Sequence, residues 1–269
     1  MGRRYDTVSL LSDHGTVDES AGVLRSVIRS IAPHATCVDL THDVPPHDVR
    51  AGSLALVRAA EYLCPGVVLA AVDPGTGTDR RLIAVEVGDG TSVLVGPDNG
   101  VLAPTVSLCG GAGRVVQLLS QQHRLPSPGP TFDARDVLAP AAGHLCNGVD
   151  LEELGPPVDP FGLFPGAIPL TREEDGDLLV EVLWVDRFGN AQLNVDPDEL
   201  AGWGDRITVV VDGAPRTALR ARTYGDLGPG QLGLVVDAYG LVSLAFDRQS
   251  AADELRVGTG TGLALRRPQ

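Results

Sequence analysis

Along the first 150 residues, apolar positions follow two alternating periods. Short, nearly unbroken apolar runs at 7–11 (TVSLL), 36–40 (TCVDL), 66–72 (GVVLAAV), 82–87 (LIAVEV), 92–95 (SVLV) and 114–119 (RVVQLL) predict strands. Between several of them lie stretches of helical period. Residues 18–32 bring Val23, Val27, Ile28 and Ile31 to one face, with Asp18 and Glu19 suited to a first turn. Residues 48–63 repeat the arrangement. A third helix is expected over 134–147, where Pro140 must kink it or mark its true start. Continuous Val/Ile/Leu strands alternating with helices imply a mostly parallel sheet covered on both faces.

The pattern changes after residues 156–169 (PPVDPFGLFPGAIP), a Pro-rich connector. Strand-like runs follow at 177–185, 206–212, 232–237, 241–246 and 254–265, divided by Gly, Asp and Asn turns. The fold class is therefore α/β. An N-terminal domain over 1–155 precedes the linker 156–169, and a smaller antiparallel β-barrel or sandwich fills 170–269.

Composition narrows the function classes. A net charge of −14 argues against nucleic acid or an anionic membrane as partner. No apolar run approaches the roughly 20 residues needed to span a bilayer. The N-terminus reads as a first strand rather than a signal peptide, so a cytoplasmic location is expected. Cys37, Cys64, Cys109 and Cys146 show no C-x-x-C spacing and are expected to be buried as small apolar residues. His14, His42 and His47 lack metal-ligand spacing, so they are expected to be satisfied surface or core residues, and no metal is expected. The chain carries no P-loop and no G-x-S-x-G. The GTGTG at 258–262 lacks the dinucleotide-binding spacing.

Polar clusters sit where the strands end. They are SDHGTVDES at 12–20, THDVPPHD at 41–48, DPGTGTDR at 73–80 and GPDNG at 96–100. Ligands of such sheets bind beyond the carboxyl ends of strands. Turns alone do not need an acid at each strand end, so the recurrence favours a site, although Asp13, Asp18 and Asp98-Asn99-Gly100 each suit a cap or turn. In the second domain, WVDRFGNAQLN at 184–194 sets Asp186, Phe188 and Asn190 around Gly189. An amide reads a purine edge, a ring stacks on its face, and a carboxylate such as Asp13 suits a ribose diol. A nucleoside site between the two domains is the expectation.

The ordered set SDHGTVDES, VDPGTGTDRR, GPDNG, TFDARD, VDRFGN and TYGDLGPGQL resembles the S-adenosylmethionine (SAM) hydroxide adenosyltransferases, or SAM hydrolases. These are relatives of the fluorinase and chlorinase enzymes. The resemblance runs from about residue 7 to residue 265. It implies hydrolysis of SAM to adenosine and L-methionine without a cofactor. It also implies a homotrimer, with pairing of trimers left open, whose active sites lie between subunits. By position, Asp13 belongs to the ribose hydroxyls, and Asp18, Ser20 and Asp186 belong to the methionine end. Phe188, Asn190 and Tyr224 belong around adenine. His47, Thr76, Phe132 and Tyr239 complete the implied substrate set.

The resemblance also gives meaning to Asp73 and Arg80, seven residues apart. That pair marks the hydrolases, and the halogenases carry Tyr at the position of Asp73. A carboxylate orients water in line with C5′ and repels a halide. Two departures stand out. Asp133 occupies the place of a His that completes the hydrolase catalytic set, and Thr76 stands where many hydrolases have Val. Two consequences of Asp133 are open: Arg80 relays between the carboxylates as an ion pair, or Asp133 weakens the activity. The alternatives to a hydrolase are therefore a SAM-dependent halogenase and a weakly active SAM- or adenosine-binding protein.

Overall fold

The computed structural model describes residues 4–267, which divide into two compact units at the 168/169 boundary. The first unit runs β1 (Thr7–Ser12), α1 (Ser20–Ile31), β2 (Thr36–Thr41), α2 (Val49–Ala60), β3 (Val67–Ala71), β4 (Leu82–Val87) and β5 (Ser92–Pro97). It continues with α3 (Ala103–Leu108), β6 (Val115–Gln117), α4 (Ala139–Cys146) and α5 (Leu151–Leu154). The sheet order is β2-β1-β3-β5-β4-β6, parallel except for β4, which runs antiparallel to β5 and β6.

Alternate strand residues feed two cores, which explains why the strands read as continuous apolar runs. Val8, Leu10 and Leu69 pack with Leu24 and Ile28 of α1 and Leu145 of α4. Leu11, Val68 and Ala70 pack with Leu56 of α2 and Val106 of α3. The chain leaves β1 towards β2 on one side and later returns to place β3 on the other. The carboxyl ends of β1 and β3 therefore flank a topological switch point, the place where such sheets open a crevice.

Local chemistry sets the helix boundaries. Asp48 caps α2 by accepting the Ala51 N–H at 2.8 Å, so that helix starts at Val49. Asp18 accepts the Ser20 N–H at 2.9 Å, and Glu19 occupies the cap position of α1. The expected third helix divides in two. Residues Ala134–Leu138 form a π-helical turn that runs into α4. Pro140 has no N–H to offer the Asp136 carbonyl, which instead accepts from the Leu125 N–H at 3.0 Å. The Pro-rich stretch begins by pairing with β6, through Gln117 N–H to Pro156 O and Val158 N–H to Val115 O.

The second unit contains β7 (Arg172–Glu174), β8 (Asp177–Val185), β9 (Ala191–Leu193), β10 (Arg206–Val211) and β11 (Ala214–Ala221). After these come β12 (Gly233–Val236), β13 (Val242–Ala245), α6 (Ala251–Leu255) and β14 (Gly262–Arg266). Strands β14-β10-β11-β12-β13-β9-β8 close into a ring through the β8–β14 pairing, and β7 adds to β8. Closure leaves the ring without a free edge, around a core that includes Val182, Leu193, Ile207, Val209 and Leu265. All ring pairs are antiparallel except β11 with β12.

Two expectations need correction. Residues 254–265 are not one strand: α6 ends at Leu255, Arg256 takes a left-handed backbone (φ 55°), and β14 starts only at Gly262. The cysteines are also less buried than expected, since Cys146 is buried but Cys64 and Cys109 are exposed. Among the described residues, no helix is long and apolar enough to cross a membrane.

Candidate active site

The end of β1 is tied down by a chain of polar contacts that runs from the buried Ser12 and His42 out to Asp39 and Arg25 at the surface. Ser12 Oγ lies 2.7 Å from His42 Nδ1, and His42 Nε2 lies 3.1 Å from Asp39 Oδ1. Arg25 Nη1 donates to Asp39 Oδ2 at 2.5 Å. Ser12 Oγ also accepts the His14 N–H at 3.3 Å, while the His42 carbonyl accepts the Gly15 N–H at 2.7 Å. His42 is thus a satisfied core histidine. Together these bonds hold the turn that carries Asp13 and His14 beyond the strand. Asp13 Oδ2 then accepts the backbone N–H of His47 at 2.8 Å, with His47 held at a positive φ of 67°.

The end of β3 leads into a loop wound around one carboxylate. Asp73 Oδ1 pairs with Arg80 Nη1, and Arg80 Nη2 donates to the Pro74 carbonyl. Thr76 Oγ1 donates to Asp73 Oδ2 at 3.3 Å. Gly75 and Gly77 both have positive φ, and a Cβ on them would collide with the Arg80 guanidinium and the Pro130 carbonyl respectively. Only glycine fits either place. Asp133 Oδ2 accepts the Gly77 N–H at 3.0 Å, bracing the loop from the opposite side.

An Arg80 relay between two carboxylates is not formed. Arg80 is committed to Asp73 and Pro74, and Asp133 meets the loop backbone instead. Burial pushes the Asp73 carboxyl above the usual aspartate range; Arg80 opposes this, and the nearby Asp133 charge adds to it. The GPDNG cluster has a bracing role. Asn99 Nδ2 donates to the Val72 carbonyl at 2.9 Å, and Asp98 pairs with Arg81 at 2.5 Å and accepts the Phe164 N–H at 2.8 Å.

Asp13, His47, Asp73, Thr76 and Phe132 line one cavity of about 230 Å³, together with His14. That volume is below the roughly 300–1,000 Å³ of sites enclosing a whole small molecule, so it suits part of a larger ligand. A neighbouring cavity of about 550 Å³ shares His14, Thr131 and Phe132 and adds Ser20 and Arg135. Asp18 is exposed and lines a separate groove beside Asp39 and His42. The candidate that sequence reasoning passed over is His14. Its ring meets Phe132 edge to face at 5.4 Å, and burial lowers its pKa below the ordinary imidazole value, opposed chiefly by Asp13. Its position directly after Asp13 at a strand end was the available signal.

In the second unit, Asp186 organises the turn between β8 and β9. Its Oδ1 accepts the Phe188 N–H at 2.8 Å and the Asn190 N–H at 2.9 Å, and its Oδ2 accepts from Asn190 Nδ2 at 2.8 Å. One of the two N–H bonds of the Asn190 amide is therefore already used. Gly189 is required at a φ of 83°, where a Cβ would collide with Ser250. Burial raises the Tyr224 hydroxyl pKa, helped by Asp186 and Asp237, which places those charges near its ring. Phe188 and Tyr239 are exposed, and Tyr239 packs edge to face on Trp184 at 6.1 Å. The unit thus presents rings beside an anchored amide.

Residues 8–155 match the family model described as the SAM hydroxide adenosyltransferase N-terminal domain, and residues 180–264 match the corresponding C-terminal domain. The chain is 39% identical over 258 residues to an (R)-S-adenosyl-L-methionine hydrolase of Salinispora tropica, covering 96% of this chain and 97% of that one. It is 37% identical to a protein of the same name from Thermus thermophilus, covering 96% and 98%. Among solved structures, an uncharacterized conserved protein from Thermotoga maritima superposes with a TM-score of 0.89 at 30% identity, covering 97% of this chain and all of the other.

Proposed function

The chain belongs to the SAM hydroxide adenosyltransferase family, and from that premise we propose that it hydrolyses SAM to adenosine and L-methionine. Water attacks the ribose C5′ as the C5′–S bond breaks. The observation that carries this reading is Asp73, a carboxylate fixed at the switch point and lining one cavity with Asp13. A sulfonium leaves as a neutral thioether, so the departing group needs neither an acid nor a cofactor. What remains is to position the nucleophile. Asp73, held by Arg80, orients water where a halide would be repelled, and Asp133 supports the loop that carries both.

Asp13 receives the ribose hydroxyls, with His47, Thr76 and Phe132 around them. Asp18, Ser20 and Asp186 receive the methionine end, and Phe188, Asn190, Tyr224 and Tyr239 receive adenine. Product analysis tests the reading directly. Adenosine and methionine should appear from SAM at the same rate with or without chloride or fluoride. A 5′-halonucleoside would indicate a halogenase, and tight binding without turnover would indicate a binding protein.

Asn190 gives a sharper check on the adenine assignment. With one amide N–H on Asp186, the second N–H and Oδ1 remain to hydrogen-bond the adenine edge. Loss of one such bond costs about 1 kcal/mol, so Asn190→Ala should weaken adenosine binding about 5-fold in calorimetry. Unchanged affinity would remove Asn190 from the site. The assembly proposed is the homotrimer that the resemblance implies, in which residues of more than one chain hold the substrate. Light scattering should give a trimer or a multiple of it, and an active monomer would contradict this. The cytoplasm is proposed as the place of action, since exposed thiols such as Cys64 and Cys109 persist best in a reducing compartment.

A further inference from the structure

We propose that His14 is a further catalytic residue, whose imidazole takes the proton that the attacking water gives up. The proposal rests on the hydrolytic reading above. It starts from an unpaired atom. His14 Nδ1 is buried and has no hydrogen-bond partner among the described residues. Leaving a buried polar atom unpaired costs on the order of 1–3 kcal/mol, so a fold that keeps one invites a ligand or water there.

The acceptors around it are already engaged. Ser12 Oγ meets His42, Asp13 holds the His47 N–H, and Asp73 is shared between Arg80 and Thr76. The position of the ring is fixed as well. The backbone N–H of His14 is tied to Ser12 Oγ, the ring's edge-to-face contact with Phe132 sets its plane, and the residue lines both the cavity of Asp13 and Asp73 and the larger one beside Ser20. Preorganisation of that kind is what a proton acceptor needs.

The electrostatics favour a neutral ring. Burial holds His14 below the ordinary imidazole value; Asp13 opposes this, His42 assists it, and Asp18 opposes it weakly. The other titratable and charged groups around the two cavities are Asp73, His47 and Arg135. A bound sulfonium adds a positive charge that further favours the neutral form. A carboxylate paired with an arginine is a weak base, whereas a neutral imidazole is matched to neutral pH. The step balances: the water oxygen bonds to C5′, and the C5′–S electron pair leaves on sulfur to give neutral methionine. One water proton passes to Nδ1, and the imidazolium loses it to solvent as the products depart.

The test follows adenosine release from SAM by the full chain and by His14→Phe and His14→Gln, across about pH 5 to 9. Phenylalanine keeps the ring contact without the nitrogen, and glutamine keeps a hydrogen-bond acceptor that cannot hold a proton. Both variants should lose about 10-fold to 100-fold in kcat, keep KM within about 3-fold, and lose the acid limb that the parent's imidazole should give below the ordinary imidazole range. Calorimetry with adenosine confirms that each variant is folded, and if His14→Phe fails to fold, His14→Gln decides. A glutamine variant with parental kcat and an unchanged acid limb overturns the proposal by itself. A parent that releases no adenosine overturns the hydrolytic reading and this proposal together.

Discussion

Replacing Asp73 with asparagine is expected to lower kcat for SAM hydrolysis by about 100-fold to 1000-fold, while adenosine affinity stays within about 3-fold of the parent. Asparagine matches the shape of aspartate but carries no charge. In the parent, one carboxylate oxygen holds Arg80 and the other accepts from Thr76, with only 10% of the Asp73 side chain exposed. Removing the charge leaves the guanidinium with neutral acceptors only, an amide oxygen and the Pro74 carbonyl. An unbalanced positive charge would then stand where a sulfonium substrate must approach, and the water would lose its orienting anion. Adenosine is uncharged, so its binding separates this electrostatic effect from a disturbed fold. Steady-state kinetics and calorimetry on one preparation supply both readings. If kcat stays within about 3-fold of the parent, Asp73 has no part in the chemistry.

The elements that place Asp73 were readable because their periods are strong. GVVLAAV and TVSLL read as strands buried on both faces, and the acids just beyond them, Asp73 and Asp13, then fall at the sheet's carboxyl edge. The misses have equally local causes. β9 is only Ala191–Leu193, too short to show a period. β11 is a strand whose first half is exposed, so APRTALRA lacks the alternation that would reveal it. Residues 254–265 look like one run because Leu255, Val257 and Leu263 are all buried, yet they reach one core from a helix end, a turn and a strand.

Within the site, sequence spacing correctly brings Asp73 to Arg80 but says nothing of the third partner. The contact between Asp133 and Gly77 joins residues 56 positions apart, and it depends on a glycine N–H that no side-chain motif reports. His14 escaped for a related reason. Its significance lies in an absent partner for Nδ1, which only packing can show.

Asp133→Ala should lower kcat by about 100-fold, and Asp133→Asn should leave it within about 3-fold of the parent near neutral pH. The difference isolates what Asp133 does. Its Oδ2 accepts the Gly77 N–H, and an asparagine oxygen can accept the same bond, whereas alanine leaves that side of the loop unbraced. A slackened loop displaces Asp73 and Arg80 together, and a misplacement of about 1 Å at a reacting centre costs on the order of 100-fold. Both variants also remove the charge that helps to raise the Asp73 pKa. Asp73 must be ionised to orient water, and its carboxyl holds its proton to a higher pH in the parent than an ordinary aspartate. Loss of the Asp133 charge should therefore move the Asp73 limb of the activity profile to lower pH. That shift is cleanest in a His14→Phe background, where the imidazole limb is absent. Asp133→His, which restores the residue carried by the hydrolases that this chain resembles, should preserve or raise turnover. If Asp133→Ala hydrolyses SAM as fast as the parent, Arg80 and the two glycine turns hold the loop unaided, and Asp133 is a bystander.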